Sequence, residues 1–218
     1  MPGVFITFEG GEGAGKSTQA QLLEVHLRAA GHDVVRTREP GGTPGAEALR
    51  DFVLFGGHDL SLRAEVMVHF AARCDHVDRL IRPALARGKI VICDRFVDST
   101  LAYQGYGLGQ GDPQIVDLIQ ALGTRMGVVP DMTFVLSLPR ARARARLAAR
   151  GQRSDRYEAA DEAFHTRVAD GFDAIARAAP GRCLPISADR PADAVAHDIA
   201  ARVDACLAAR AATDPGPA

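Results

Sequence analysis

Five short apolar runs alternate along the chain with segments whose apolar residues recur every three or four positions. Residues 4–8, 33–38, 89–93, 132–138 and 182–187 are β-branched or aromatic runs and predict strands. Residues 16–30 predict a helix, with Ala20, Leu23, Leu27 and Ala30 at helical spacing and Gly31 as its stop. Residues 45–55 predict a short helix, and 62–87 a long one interrupted or kinked near Pro83. Residues 101–112 read as a glycine-rich loop, after which Pro113 opens a helix to about Leu122. Pro139 starts an arginine-studded helix, 151–155 is polar loop, 158–178 and 192–211 are helices, and 213–218 is a flexible tail. Strands alternating with helices predict one α/β domain over residues 1–212, a five-stranded parallel sheet covered on both faces. Ligands of such sheets bind at the carboxyl ends of the strands.

Composition narrows the class. The 218 residues carry a net charge of -1, which excludes the broad basic footprint of a nucleic-acid or membrane-surface binder. No stretch approaches the roughly 20 apolar residues of a membrane span. Residues 1–8 have neither a basic segment nor a long apolar run, so no signal peptide is expected. Cys74, Cys93, Cys183 and Cys206 are scattered and form no C-x-x-C pair, which predicts a cytoplasmic protein with buried thiols and no zinc site. His26, His32, His58, His165 and His197 show no ligand-like pattern and read as surface or loop residues. The chain has no Asn, and Lys16 and Lys89 are its only lysines. Where arginine replaces lysine nearly everywhere, a retained lysine points to a need for its compact ammonium.

The run Gly10-Gly11-Glu12-Gly13-Ala14-Gly15-Lys16-Ser17, followed by Thr18, fits G-x-x-x-x-G-K-[ST] and lies between the first predicted strand and the first helix. That context defines a phosphate-binding P-loop. Its glycines let successive N–H groups face phosphate oxygens, and the helix N-terminus adds positive potential. Lys16 is placed to reach the β- and γ-phosphates of ATP, and the Ser17 hydroxyl to bind Mg²⁺. Without Asn there is no N-K-x-D guanine reader, and D-x-x-G is missing too. A small-molecule kinase is the reading.

Three further segments lie at strand ends: Arg38-Glu39-Pro40-Gly41-Gly42-Thr43, Asp94-Arg95 with Ser99-Thr100-Leu101-Ala102-Tyr103-Gln104-Gly105, and Asp155-Arg156-Tyr157-Glu158. Together with the P-loop, their order and spacing resemble the bacterial thymidylate kinases over residues 5–208. The resemblance implies a P-loop kinase fold with a lid at about 147–158. It also implies a cytosolic homodimer that moves the γ-phosphoryl of Mg·ATP onto dTMP. Another nucleoside monophosphate kinase and a catalytically idle nucleotide-binding protein are the rival readings.

The resemblance also assigns residues. Arg95 holds the acceptor phosphate and Asp94 offers a carboxylate to Mg²⁺, with a structural ion pair as the alternative for each. Glu39, Arg50, Arg73, Thr100, Tyr103 and Gln104 match positions around the acceptor nucleotide. Most of Arg140, Arg142, Arg144 and Arg146 are expected in solvent, because spacing by two spreads them round a helix. Arg150 at the helix end, or Arg153 in the lid, is expected to act on the transferring phosphoryl group, since the P-loop carries Glu12 and no basic residue before Lys16. Many relatives carry F-x-x-x-R on the long helix, where this chain has His69 four residues before Arg73, and Phe70 beside it. Met67, Phe70, Cys74, Val77 and Ile81 form an apolar stripe at helical spacing, and His69, Arg73 and His76 lie on the adjoining polar face. This favours His69 as the ring that stacks on the base and Phe70 as packing, with Phe70 as the alternative acceptor-binding ring.

Overall fold

The computed structural model describes residues 3–213 apart from 151–154, with Arg150 and Thr213 described by backbone alone. The strands are β1 (Val4–Gly10), β2 (Val34–Arg38), β3 (Ile90–Asp94), β4 (Met132–Ser137) and β5 (Cys183–Ser187). They form one parallel sheet in the order β2-β3-β1-β4-β5. β1 is buried along its whole length, as a central strand covered on both faces must be. Alternation sends Val4, Ile6 and Phe8 to one face, where they pack with Ala20, Leu23, Leu27, Ile199 and Val203. Phe5 faces the other side, with Val66, Phe70, Val77, Ile81, Phe96 and Ile119.

Helices α1 (Lys16–Ala29) and α9 (Ala192–Thr213) cover the first face. On the second, α2 (Pro44–Phe55) starts at Thr43, whose hydroxyl accepts the Ala46 N–H, with Pro44 at the first position. α3 (Leu62–His76) is capped by Ser61 and runs through a π-helical segment, Val77–Ile81, into α4 (Arg82–Ala86). The expected interruption near Pro83 is this π segment: proline supplies no N–H, and the helix widens before it instead of breaking. α6 (Pro113–Arg125) and α8 (Glu162–Ala178) begin at Asp112 and Asp161, and each carboxylate accepts a backbone N–H of the first turn. α7 (Arg140–Arg150) is the arginine-rich helix.

The structure corrects several expectations. Residues 101–112 are mostly not loop: a short helix α5 (Val97–Thr100) continues as a π-helix over Leu101–Leu108. The glycines there serve close packing, since a Cβ on Gly107 would lie 2.6 Å from Cε2 of Phe164 on α8. The stripe on α3 is only partly core, because Phe70, Val77 and Ile81 are buried while Met67 is 52% exposed and Cys74 is exposed. The adjoining polar face, His69, Arg73 and His76, is buried throughout. Of the four thiols only Cys93 and Cys183 are buried. His165 is buried on α8, with Nε2 lacking a hydrogen-bond partner among the described residues. α8 starts at Glu162, after a turn through 156–159. The polar loop after Arg150 and the tail beyond Thr213 lie outside the described residues. Among the described residues no helix is long and apolar enough to cross a membrane.

Candidate active site

A cavity of about 260 Å³ opens at the carboxyl ends of β1, β2 and β3. Glu12, Gly13, Gly15, Lys16 and Ser17 line one side. Gly13 adopts φ 74°, and a Cβ there would lie 2.7 Å from the Ala143 carbonyl of α7, so the loop can turn only with glycine at that point. Gly15 is the N-cap of α1. The Lys16 ammonium curls back to donate to the carbonyls of Gly10 (3.1 Å) and Gly11 (2.8 Å). Burial and the nearby Arg95 guanidinium pull its pKa down to about 8. The Ser17 hydroxyl donates to Asp94 at the end of β3, so two oxygens stand side by side at the P-loop. Thr18, one residue on, is exposed.

Arg95 follows β3 in a left-handed conformation, φ 74°. Its Nη1 donates to Gly10 O (3.1 Å) and Ser99 Oγ (2.9 Å), and its Nη2 to Glu12 Oε1 (2.6 Å) and the Tyr103 hydroxyl (3.1 Å). Tyr103 also donates to Glu12, at 3.0 Å. Burial works against the Glu12 carboxylate, but Arg95 and Lys16 outweigh it and hold its pKa near 2. Glu12 thus faces Arg95, a contact that the loop's sequence does not reveal.

The other side of the cavity holds the acceptor candidates. Arg73 donates through Nε to Glu39 Oε2 (2.7 Å) and through Nη2 to Phe96 O (3.1 Å) and Thr100 Oγ1 (2.9 Å). Its Nη1 is buried and has no partner among the described residues, in a side chain that lines the cavity. His76 supports Glu39 from behind, Nδ1 to Oε1 at 3.0 Å, and is itself paired with Thr37 at 2.8 Å. Arg50 is steadied by the Pro40 carbonyl at 2.8 Å. His69 lines the cavity, and its Nε2 meets the Tyr157 hydroxyl at 3.1 Å. Burial, followed by the charges of Arg73, Arg156 and Arg50, pushes its pKa down to about 3, so the ring is neutral. Phe70, which also matched the acceptor positions, lies outside the cavity lining: it is buried in the second core cluster, with the Arg73 guanidinium 4.7 Å over its ring.

Gln104 donates to Glu65 (3.0 Å) and to Tyr157 (2.9 Å), and the Tyr157 hydroxyl donates to Glu65 at 2.8 Å. Arg156 closes the group on Glu65 at 2.9 Å. Sequence reasoning missed Glu65, and it singled out Tyr157 only as part of a motif. It also grouped Arg146 with its solvent-facing neighbours, yet Arg146 is half-buried, donates to the Ala188 carbonyl (3.1 Å) and lies beside Gly15. Arg142 is exposed, and Arg150 and Arg153 offer no described side chain.

A P-loop that shares one crevice with a second, cation-lined lobe defines a P-loop kinase of small phosphorylated substrates. The thymidylate kinase family model matches residues 8–199. The thymidylate kinase of Gluconobacter oxydans is 60% identical over 193 residues, 88% of this chain and 90% of that protein. That of Rhizorhabdus wittichii is 51% identical over 207 residues, 94% of this chain and 99% of its own length. The crystal structure of the Ehrlichia chaffeensis thymidylate kinase superposes with a TM-score of 0.76 at 36% identity, covering 94% of this chain and 99% of that one. The chain belongs to the thymidylate kinase family.

Proposed function

We propose that this enzyme transfers the γ-phosphoryl group of ATP to the phosphate of dTMP, giving the diphosphate on the way to dTTP, and that the cavity residues carry the reaction. The observation that supports this best is the meeting of the P-loop cation Lys16 with Arg95, Arg73 and Arg50 around one cavity. Two polyanions brought together repel, and fixed cations offset that repulsion where water is excluded. Lys16 and the P-loop N–H groups take the donor phosphates. Arg95, which lines the cavity, is the cation for the acceptor phosphate. Arg73 offers its unpaired Nη1 to a carbonyl of the base, and the neutral His69 ring provides a face for stacking. Arg150 acts on the transferring group from the end of α7.

Ser17 and Asp94 fit Mg²⁺. Their oxygens are adjacent, and this cation commonly takes one or two protein oxygens with substrate phosphates and water completing the shell. Mg²⁺ bound there supplies charge neutralisation of the phosphates. Among the described residues no cluster of three or more His, Cys, Asp or Glu side chains is arranged as a metal cage, which agrees with a metal held mainly by substrate. The exposed strip of Met67, Ala71 and Cys74 on α3 supports a homodimer through that face, and the free thiols support a cytoplasmic setting. The test is a coupled assay with Mg·ATP against dTMP, AMP, CMP, GMP and UMP. Turnover of dTMP well above the rest is expected. Equal or better turnover of another monophosphate selects a different kinase, and no turnover selects an idle binding protein.

A further inference from the structure

We propose that Glu9 is a positioning residue for Arg95. The inference rests on the reading of Arg95 as the acceptor-phosphate ligand. Glu9 is the penultimate residue of β1, on the face shared by Phe5 and Thr7, and is 0% exposed. It makes no ion pair within 4 Å among the described residues. A buried carboxylate without a paired cation is costly, and a chain that needed only to fill this space would be better served by an apolar residue. What Glu9 does make is two hydrogen bonds, both to the segment that carries Arg95. Its Oε1 accepts the Phe96 N–H at 2.7 Å, and its Oε2 accepts the Ser99 hydroxyl at 2.5 Å.

These contacts fix Arg95 in two ways. The first concerns its backbone. A non-glycine residue at φ 74° is strained and persists only where its surroundings over-determine it. The main chain of β1 takes the Arg95 N–H on the Phe8 carbonyl (2.9 Å), and the side chain of the next β1 residue takes the N–H of Phe96. Consecutive residues of one strand thereby clamp consecutive N–H groups of the turn. The second concerns direction. A guanidinium only donates, so Ser99 Oγ can serve Arg95 Nη1 only with its single hydrogen turned elsewhere. Glu9 is where that hydrogen goes, and it leaves the Ser99 lone pairs facing Arg95. Burial and the neighbouring Asp98 raise the Glu9 pKa to about 7, and above that pH its carboxylate accepts both the Phe96 N–H and the Ser99 O–H. A carboxamide of the same shape accepts with one end only, so Glu9→Gln must lose one of the two.

The test is a double-mutant cycle on the intact enzyme at about pH 8, above the raised pKa of Glu9. kcat, KM for dTMP and KM for ATP are measured for wild type, Glu9→Gln, Arg95→Ala and the double variant. One lost hydrogen bond at a charged group predicts that Glu9→Gln lowers kcat/KM for dTMP about tenfold with KM for ATP within about twofold. In the Arg95→Ala background the same substitution should change kcat/KM less than about twofold, because the group it positions is gone. The inference is overturned by an equal loss in both backgrounds, by unchanged kcat/KM for Glu9→Gln, or by parallel rises in both KM values. If Glu9→Gln does not fold, Ser99→Ala carries the test. It removes the hydroxyl bridge and leaves Glu9 and the backbone clamp in place, with the same dTMP-selective loss expected and a non-selective effect overturning the inference. Wild type that ignores dTMP, or Arg95→Ala as active as wild type, would instead refute the reading of the site itself.

Discussion

Replacing His69 with Phe puts the common family ring at a position where this chain has an imidazole, and it isolates one electrostatic effect. His69 is buried on α3 with Arg73, Arg156 and Arg50 around it, and burial together with these charges lowers its pKa to about 3. In the unfolded chain it titrates near 6.5. Between those values the unfolded state binds a proton that the native state refuses, so native stability falls as pH falls from about 6.5 towards 3. At pH 5 the gap from 6.5 is about 1.5 pH units, which at 1.36 kcal/mol per unit is about 2 kcal/mol. At pH 7.5 the contribution vanishes. There Phe loses one hydrogen bond of about 1 kcal/mol, while the Tyr157 hydroxyl keeps Glu65 and Gln104. Every other titrating group is common to both proteins and cancels in the difference. Urea unfolding at pH 7.5 and pH 5 should therefore show the wild-type stability falling by about 2 kcal/mol relative to His69→Phe as the medium is acidified. A difference that stays constant between the two pH values means that protons reach the folded ring freely, and the argument for a neutral stacking face fails.

Phe70→Ala should lower stability by roughly 3–5 kcal/mol in the same unfolding experiment, since it empties a fully packed ring from the second core cluster; an unchanged stability with dTMP binding abolished would reverse the roles of Phe70 and His69. Lys16→Ala and Arg95→Ala should each reduce kcat/KM on the order of 10²–10³-fold in steady-state assays. Arg142→Ala, which removes only an exposed pair with Asp189 at 3.2 Å, should leave it near the wild-type value, and a loss matching that of Arg95→Ala would show that the site extends along α7.

The sheet and the P-loop were legible because their signals are local. A strand, a glycine pattern and a helix in direct succession leave one geometry. The segment Leu101–Leu108 was not legible, because glycine signals a turn and close packing equally well, and only the docking of α8 distinguishes them. The same limit hid Arg146 among arginines of identical spacing: the chain's path past Ala188 brings that one over the P-loop. Helical spacing separated the two faces of α3 but marked only the apolar one as core. The polar face is buried as well because Glu39, Thr100 and Tyr157 come from other elements to pair with it. Glu9 had one visible sign, a carboxylate on the inward face of a strand whose neighbours there are Phe5 and Thr7. Its partners lie on a segment far away in sequence, and no local pattern names them.

Three groups on the cavity wall respond to burial and to nearby cations together. Lys16 is pulled down to about 8 by burial and Arg95, Glu12 is held near 2 by Arg95 and Lys16 against its own burial, and His69 is kept neutral by burial and three arginines. Each is the mark of positive potential concentrated in a small, poorly hydrated space. The carboxylates on the cavity wall do not dissipate it where it is needed. Glu12 and Glu39 are committed to Arg95 and Arg73, and Asp94 accepts the Ser17 hydroxyl, so each carboxylate orients a donor of the cavity wall. In a chain whose net charge is only -1, such a field can arise only by segregation. Arginine is suited to this because its planar fork holds several acceptors at once, four for Arg95 and three for Arg73. The scarcity of lysine then has a structural reading. Arg95 and Arg73 each need several fixed donors, whereas Lys16 directs a single compact ammonium at the Gly10 and Gly11 carbonyls of the P-loop.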